Sequence, residues 1–505
     1  MPNNIFSRGC RSARWVVSIL LGLLPLAPLQ AEPLPDLVLQ ASLNYADHQT
    51  YRRVGFDVPP GVARITIEAS YTGSEERTVV DFGLIDSEDQ LVGWSGGNKR
   101  LFTVSAVDAS PSYSPRPIRS GRWNVLLGIP NIRPASISEL TLKVFFSRSL
   151  DISQEPAALR APLKAGAGWY RGDLHTHTGH SDGSCPSLSL RKLVPCPVFK
   201  TADMAAQRKL DFVVITDHNA SSHANAIREL QPYYDHLLLI PGRELTSFFG
   251  HATIIGTVKE LDFKPHSPEQ GWDAALAALD ASSFVSINHP VRPSGEFCMG
   301  CGWRGPLPNP HLQGIEVVNG DDLGTPYSGL PFWQQALDEG HRLTAVAGSD
   351  NHQPDQDAAN WGALGRPATV VFASELSQIA VIDALRKGHA FIDMSKALVT
   401  SAAPKIIELW AEVNGAQGMM GDLLTAKAGQ PILLKVKVQN AQGLHLHLHA
   451  SPSLKLPAEI GAVTGAEAAY ELKAAAPTGK SWVFVEVRDA FGKLVMMSNP
   501  IYFQP

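Results

Sequence analysis

The chain has 505 residues, with 43 Lys and Arg against 48 Asp and Glu and a formal net charge of −5. No basic run accompanies that balance, which counts against a nucleic-acid backbone as the main partner. Hydrophobic residues make up 44% and charged residues 18%, a mixture able to bury a real core, and the length suits about three domains.

Residues 1–31 read as a leader. Arg8, Arg11 and Arg14 precede the uncharged run WVVSILLGLLPLAPL, followed by Ala31 and the first acid, Glu32. That is the order of a secretory signal. Pro25 and Pro28 break the run and leave it short for a membrane span; an uncleaved N-terminal anchor is the other reading. Cys10 precedes the run, unlike a lipoprotein cysteine. No later apolar run is long enough to span. The mature protein is therefore expected to be exported, periplasmic or secreted, and free of the membrane. Four cysteines remain in it: Cys185, Cys196, Cys298 and Cys301. An even number in an oxidising compartment suits two disulfides, locally Cys185–Cys196 and Cys298–Cys301, although other connectivities are open. A four-cysteine zinc site is the alternative. A thioredoxin-like role for the Cys298–Cys301 pair lacks the matching strand–helix context.

Residues 32–150 read as a jelly-roll-like β-sandwich. Short runs rich in Val, Ile, Leu and aromatics at 37–43, 63–71, 79–86, 121–128 and 140–146 are divided by Gly, Pro, Ser and Asp. The stretch 110–121 is a proline-rich loop, and no ligand constellation stands out. Residues 151–167 read as a linker. Strand-like and helix-like runs then alternate over 168–398, the α/β pattern. Strands are expected at 171–178, 211–219, 236–245, 250–257, 283–290, 313–320 and 343–352. Helices are expected at 201–209, 222–235, 269–281, 330–341 and 375–387. Seven strands suggest a distorted or incomplete barrel. Over 399–505 the β pattern returns as a second, smaller sandwich with strands at 405–413, 431–440, 443–450, 481–489 and 499–503. There His445, His447 and His449 alternate. A solvated polar face opposite Leu444, Leu446 and Leu448 explains them, and a three-histidine metal site is the sharper reading.

The stretch GDLHTHTGHSDG at 172–183 carries the chemistry. His175 and His177 alternate, so on a strand both imidazoles face one side, with Asp182 close behind. Later segments end in the same kinds of group: His218, Glu244, His289, Asp350 and His352, with His251 opening the fourth strand. Strand ends of an α/β barrel share one rim, so these ligands would converge. Six histidines and three carboxylates exceed one catalytic zinc and suit two or three divalent ions, Zn, Mn or Fe. Asp217 would orient His218, Glu316 and Asn319 would support, and His180 and His223 would be exposed. Arg292 would receive an anionic substrate group or form a surface ion pair.

GDLHTHTGHSDG, VITDHN, PGREL, GHATIIG, INHP and AGSDNH resemble the successive motifs of the PHP (polymerase and histidinol phosphatase) superfamily. The resemblance covers roughly 168–395. It implies a distorted (β/α)7 barrel with a di- or trinuclear metal site held by His175, His177, Asp182, His218, Glu244, His251, His289, Asp350 and His352. GWSGGNKRLFTVS, GRWNVLLG and WGALGRPATVVFA resemble the CehA/McbA branch, in which a β-sandwich precedes the barrel. The branch takes its name from carbamate hydrolases, whereas the wider superfamily is mostly phosphoesterases.

The expected function is metal-dependent hydrolysis of a small molecule. A metal-bridged water deprotonates near neutral pH, with Asp182 and Asp350 as supporting carboxylates. A phosphoesterase acting on a mono- or diester is the first reading. An ester, carbamate or amide hydrolase on the same metals is the second. A non-enzymatic binding protein using its sandwiches is the third. Arg292 or Arg304 converging on the metals would favour phosphate; a pocket of Trp303, Trp333 and Trp361 would favour an apolar carbonyl substrate. Oligomeric state is left open.

Overall fold

The computed structural model describes residues 34–264, 268–280, 282–296, 298–307, 309–360, 362–395 and 405–505. The expected leader, Trp361 and the expected boundary at 398–399 lie outside the described residues.

Eight strands open the described residues: β1 (Leu37–Leu43), β2 (Thr50–Val58), β3 (Arg64–Tyr71), β4 (Val79–Ile85), β5 (Leu91–Ser95), β6 (Leu101–Ser105), β7 (Gly121–Asn131) and β8 (Ser138–Ser147). They form two four-stranded sheets, β1-β8-β3-β6 and β2-β7-β4-β5. Inward residues of both sheets, among them Phe56, Phe82, Phe102 and Trp123, share one core. The sequence reading missed β2, β5 and β6. In TYRRVGFDV only the second half is apolar inward, and β5 and β6 are five residues each. The segment expected as a plain linker carries two short 3₁₀ turns, Ile152–Gln154 and Ala157–Leu159. Asp151 caps the first by accepting from Ser153 N at 2.7 Å.

The middle of the chain builds β9 (Gly168–Asp173), a small hairpin of β10 (Ser184–Pro186) and β11 (Leu193–Pro195), then α1 (Val198–Gln207), β12 (Phe212–Ile215), α2 (His223–Leu230), β13 (Leu238–Ser247), β14 (Gly250–Ile255), α3 (Pro268–Ala277), β15 (Phe284–Asn288), β16 (Gly314–Asn319), α4 (Leu330–Asp338) and β17 (Thr344–Gly348). Seven strands lie in the order β17-β16-β15-β14-β13-β12-β9. The outer two come back together just past their ends, where Thr176 and Asn351 form a parallel bridge and His177 N donates to Asn351 O at 2.9 Å. Neighbours are parallel except around β14, which is antiparallel to both β13 and β15. The turn between β13 and β14 is too short for a crossover, so the chain must reverse. That reversal puts the start of β14 at the same rim as the ends of the parallel strands.

The sheet continues beyond β9 through β18 (Ala368–Ala373) and, after α5 (Gln378–Lys387), β19 (Ala390–Asp393). The chain then adds β20 (Ile406–Val413), β21 (Ala416–Met419), β22 (Leu423–Thr425), β23 (Pro431–Gln439), β24 (His445–Ala450), β25 (Glu459–Ala462), β26 (Glu467–Ala475), β27 (Ser481–Arg488), β28 (Leu494–Ser498) and β29 (Ile501–Gln504). One sheet, β21-β20-β23-β26, is separate. The other is not: β28 pairs with β19, so the same sheet runs from the seven strands into the C-terminal layer. β26, EAAYELKAA, was missed because Ala, Glu and Lys are weak strand formers; its cross-strand partner β23 holds it instead.

The first sandwich docks on α2 through charge. Arg64 and Asp108, both 1% exposed at the side chain, pair at 2.7 Å, and Arg228 of α2 bonds Asp108 and Glu155. A desolvated cluster of this kind requires every partner, because an orphaned buried charge is far costlier than an exposed one.

Candidate metal centre

The nine expected ligands meet at one rim. His175 and His177 follow β9, His218 follows β12, His289 follows β15, and Asp350 and His352 follow β17. Glu244 lies inside β13 and not at its end, and His251 faces it across the hairpin from the second residue of β14. Two of these residues hold left-handed backbone, His289 at φ 25° and Asp350 at φ 53°. For non-glycine residues that conformation is strained, and the packed surroundings must impose it.

Glu244 is the hub. It is 1% exposed and lies within 3.6 Å of five imidazoles: His218 Nδ1 at 2.8, His289 Nε2 at 3.1, His251 Nδ1 at 3.2, His175 Nε2 at 3.4 and His177 Nε2 at 3.6 Å. Asp350 adds a second carboxylate, 3.1 Å from His177 and 3.3 Å from His175. Exposure then rises outward: His218 29%, His352 34% and Asp182 58% at the side chain. Asp182 therefore stands at the mouth, 3.3 Å from His352 Nε2. Two ligand groups emerge from this set, His175 with His177 and Asp350, and His177 with Asp182, His218 and His352.

The electrostatics call for positive charge. Burial alone would raise the Glu244 carboxyl, yet the surrounding imidazoles, led by His175 and His251, hold it well below the carboxylate range. Asp350 behaves the same way beside His175 and His177. Burial opposes charge on His175, but Asp350, Glu316 and Glu244 raise it well above an ordinary imidazole. His177 goes the other way: burial lowers it to about 4, leaving a neutral ring able to ligate. Burial also opposes charge on His352, but Asp182 and Asp350 bring it to about 9.

The donor set fits divalent ions. His175 Nε2 and His177 Nδ1 are buried without a hydrogen-bond partner. Each orphan costs about 1–3 kcal/mol unless something satisfies it, and imidazole with carboxylate is the set that suits Zn, Mn or Fe.

A supporting layer holds the ligands. Glu316 accepts from His175 Nδ1 at 2.9 Å and, through its other oxygen, from His289 N at 3.0 Å and Asn319 Nδ2 at 3.0 Å. The supporting role expected for Glu316 and Asn319 matches that geometry. Missed by the sequence reading were Asp173, Asn288, Thr246 and Asp322. Asp173, fully buried, accepts from His175 N, Ser349 N, Ser349 Oγ and Gly365 N, tying β9 to β17. Its signal was its place at the head of the DLHTH motif. Asn288 Nδ2 donates to Glu244 Oε1 at 2.9 Å, and Thr246 Oγ1 lies 2.7 Å from His218 Nδ1. Asp322 holds Arg292 at 2.8 Å, with Asn319 at 2.7 Å.

Several expectations are corrected. Asp217 does not orient His218; it accepts from Thr178 N, Thr178 Oγ1 and Ser181 Oγ, fixing the loop that carries Asp182. His223 is fully buried rather than exposed, 3.2 Å from Asp217, because α2 starts against that loop. His180 is exposed as expected. Trp333 is buried under α4 against Phe484, ring centroids 5.1 Å apart, so it lines no pocket at the rim. Trp303 packs on Trp272 at 4.4 Å. Arg304 lies over Phe249 and bonds Phe248 O, whereas Arg292 Nη1 reaches to 3.5 Å from Asp350 Oδ2. The cysteines pair locally, Cys185 with Cys196 (Cα–Cα 4.9 Å) and Cys298 with Cys301 (Cα–Cα 5.5 Å). Among the described residues the four sulfurs do not gather into one zinc site.

No family model matches the chain, and no curated protein matches it. Among solved structures it is similar to one described as a two-domain protein containing predicted PHP-like metal-dependent phosphoesterase, from Bacteroides vulgatus ATCC 8482. Identity is 20%, with 66% of this chain and 95% of that chain covered and a TM-score of 0.36.

Proposed function

We propose that the protein is a metal-dependent hydrolase of PHP type, most simply a phosphoesterase acting on a small mono- or diester. The observation that carries this reading is the buried Glu244 carboxylate ringed by five imidazoles, a convergence of metal-ligating atoms on one point. His175, His177, Glu244 and Asp350 would hold ions at the floor, Asp182, His218 and His352 at the mouth, and His251 and His289 against Glu244. Bound divalent cations would supply the positive charge that acidifies water and neutralises oxygens in the transition state. The chain does the rest. Glu316 fixes the His175 ring through Nδ1 and the His289 backbone through its second oxygen. Arg292, held by Asp322 and Asn319, presents its guanidinium edge beside Asp350, where a substrate's anionic oxygens would meet it.

Carbonyl hydrolysis on the same centre is the second reading. Phe248 and Met299, 79% and 73% exposed, lie in the segments next to His251, whose Nε2 is 3.2 Å from the Met299 carbonyl, and would suit an apolar leaving group. Export through residues 1–31, the domain limits 32–150, 168–398 and 399–505, a distorted (β/α)7 barrel and the CehA/McbA branch belong to the same proposal. Closure of seven strands through the Thr176–Asn351 bridge supports the barrel. No helix among the described residues is long and apolar enough to cross a membrane.

The test is elemental analysis of the purified protein with turnover of p-nitrophenyl phosphate, bis-p-nitrophenyl phosphate and p-nitrophenyl esters and carbamates. Bound metal and phosphoester turnover, both lost in His175→Ala, are expected. A protein that takes up no metal after reconstitution and turns over none of these substrates overturns the reading.

A further inference from the structure

The Cys298-Met299-Gly300-Cys301 turn sits directly against two of the candidate ligands. Cys301, 1% exposed, places Sγ 3.5 Å from His289 Nδ1. The Met299 carbonyl lies 3.2 Å from His251 Nε2. Each imidazole thus faces Glu244 with one nitrogen and the cysteine turn with the other. One ligand atom from each of His251, His289, Cys298 and Cys301 falls within 4.8 Å of all the others.

The turn is held there by backbone. Gly250 N donates to Gly300 O at 2.9 Å, Trp303 N to Pro290 O at 2.8 Å and Arg304 N to Phe249 O at 3.0 Å. Gly300 has φ +84°, and a Cβ there would meet Ser247 O at 2.0 Å, so only glycine lets the turn approach the β13–β14 hairpin this closely. The turn that carries both sulfurs is therefore held against the histidines by backbone contacts that do not involve the sulfur atoms.

Two thiolates at Cys-x-x-Cys spacing with two imidazoles are the tetrahedral S2N2 donor set that selects zinc over oxygen-preferring ions. We propose that reduction of the Cys298–Cys301 disulfide opens a Cys2His2 metal site with His251 and His289, so that one end of the metal centre responds to thiol redox state. A dithiol reductant supplies two electrons and two protons, closing its own disulfide and leaving two thiols on the protein. Metal uptake then displaces both thiol protons. In the disulfide state the same corner offers only imidazole and the Glu244 carboxylate. The inference rests on the metal-centre reading for its histidines and not on any substrate.

Co(II) added to the metal-free full chain tests it. In dithiothreitol-reduced protein, cobalt gives an intense near-ultraviolet sulfur-to-cobalt charge-transfer band. Reoxidised protein and the Cys298→Ser/Cys301→Ser variant keep only the weak visible bands of nitrogen and oxygen ligation. Alkylation mapped by mass spectrometry reports whether Cys298 and Cys301 are free. Free thiols without the charge-transfer band overturn the proposal. So does a pair that resists reduction while the fold holds, and so does a band that survives in the double variant, since it would then arise at other sulfurs of the chain, Cys10, Cys185 or Cys196. Visible bands and turnover without charge transfer sink this inference alone; no cobalt signal of either kind sinks the metal centre with it.

Discussion

Two stretches of this chain write histidine at alternate positions, and they end in different surroundings. His175 and His177 run past the end of β9 into a rim where five other strands deliver Glu244, Asp350 and four further histidines. His445, His447 and His449 stay inside β24, about 7 Å apart along the strand. Their partners are local: His449 stacks on Phe484 at 4.8 Å and pairs with Glu486 at 3.0 Å, and His445 faces Glu459 at 3.7 Å. Among the described residues no metal-holding group forms on β24. Alternation aligns imidazoles, but the convergence of several ligands on one buried carboxylate is what turns a row into a site.

That contrast can be broken from either end. Glu244→Gln should hurt most, removing the charge that five imidazoles share; bound metal should vanish by elemental analysis and turnover should fall more than about a hundredfold. Glu316→Gln leaves every proposed ligand in place but loosens His175 and His289, so metal affinity, read by chelator competition, should drop about ten- to a hundredfold. Arg292→Ala should leave metal content intact and raise KM for phosphoesters about tenfold, with a smaller change for esters.

The β24 side should answer only in stability. Glu486 is fully buried; burial pushes its carboxyl up, but His449 and Arg488 overcome this and hold it below the usual glutamate range. A carboxyl depressed on folding contributes stability above its unfolded pKa and loses it as pH falls toward the folded value. Thermal melts should therefore show Glu486→Gln with a shallower acid limb than the wild type. His447→Ala should do least, within about 0.5 kcal/mol in a denaturant titration and with unchanged metal content. A metal loss in that last variant would erase the distinction between the two rows.

The strand ends were legible because each motif couples a short apolar run to a terminal ligand, as VITDH and INHP do. The reversal at β14 was hinted at by His251 opening its run. What stayed hidden depends on partners far along the chain. Asp217 looked like a neighbour of His218, yet past the end of β12 its carboxylate turns to Thr178 and Ser181, partners some forty residues back in the chain. His223 read as a surface residue because nothing local shows that α2 begins against the Asp182 loop. Asp173 gave only the signal of its place before the first histidine, since its four donors come from both ends of the seven-strand region. β18 and β19 were missed as strands although ATVVFA is a plain apolar run, and the continuity of the sheet stayed hidden because the pairing of β19 with β28, about 100 residues on, leaves no local pattern.

That continuity decides how the protein can be dissected. Where β28 pairs with β19, the C-terminal layer shares its hydrogen-bond ladder with the strands behind the rim. Phe391 and Val370 sit in its core rather than in that of the middle region. A chain stopped before β20 would present β19 as a bare edge with Phe391 uncovered, a template for self-association. The last hundred residues are thus a lining stitched into the garment, and a trimmed chain meant for crystallisation or engineering should retain them while cutting elsewhere.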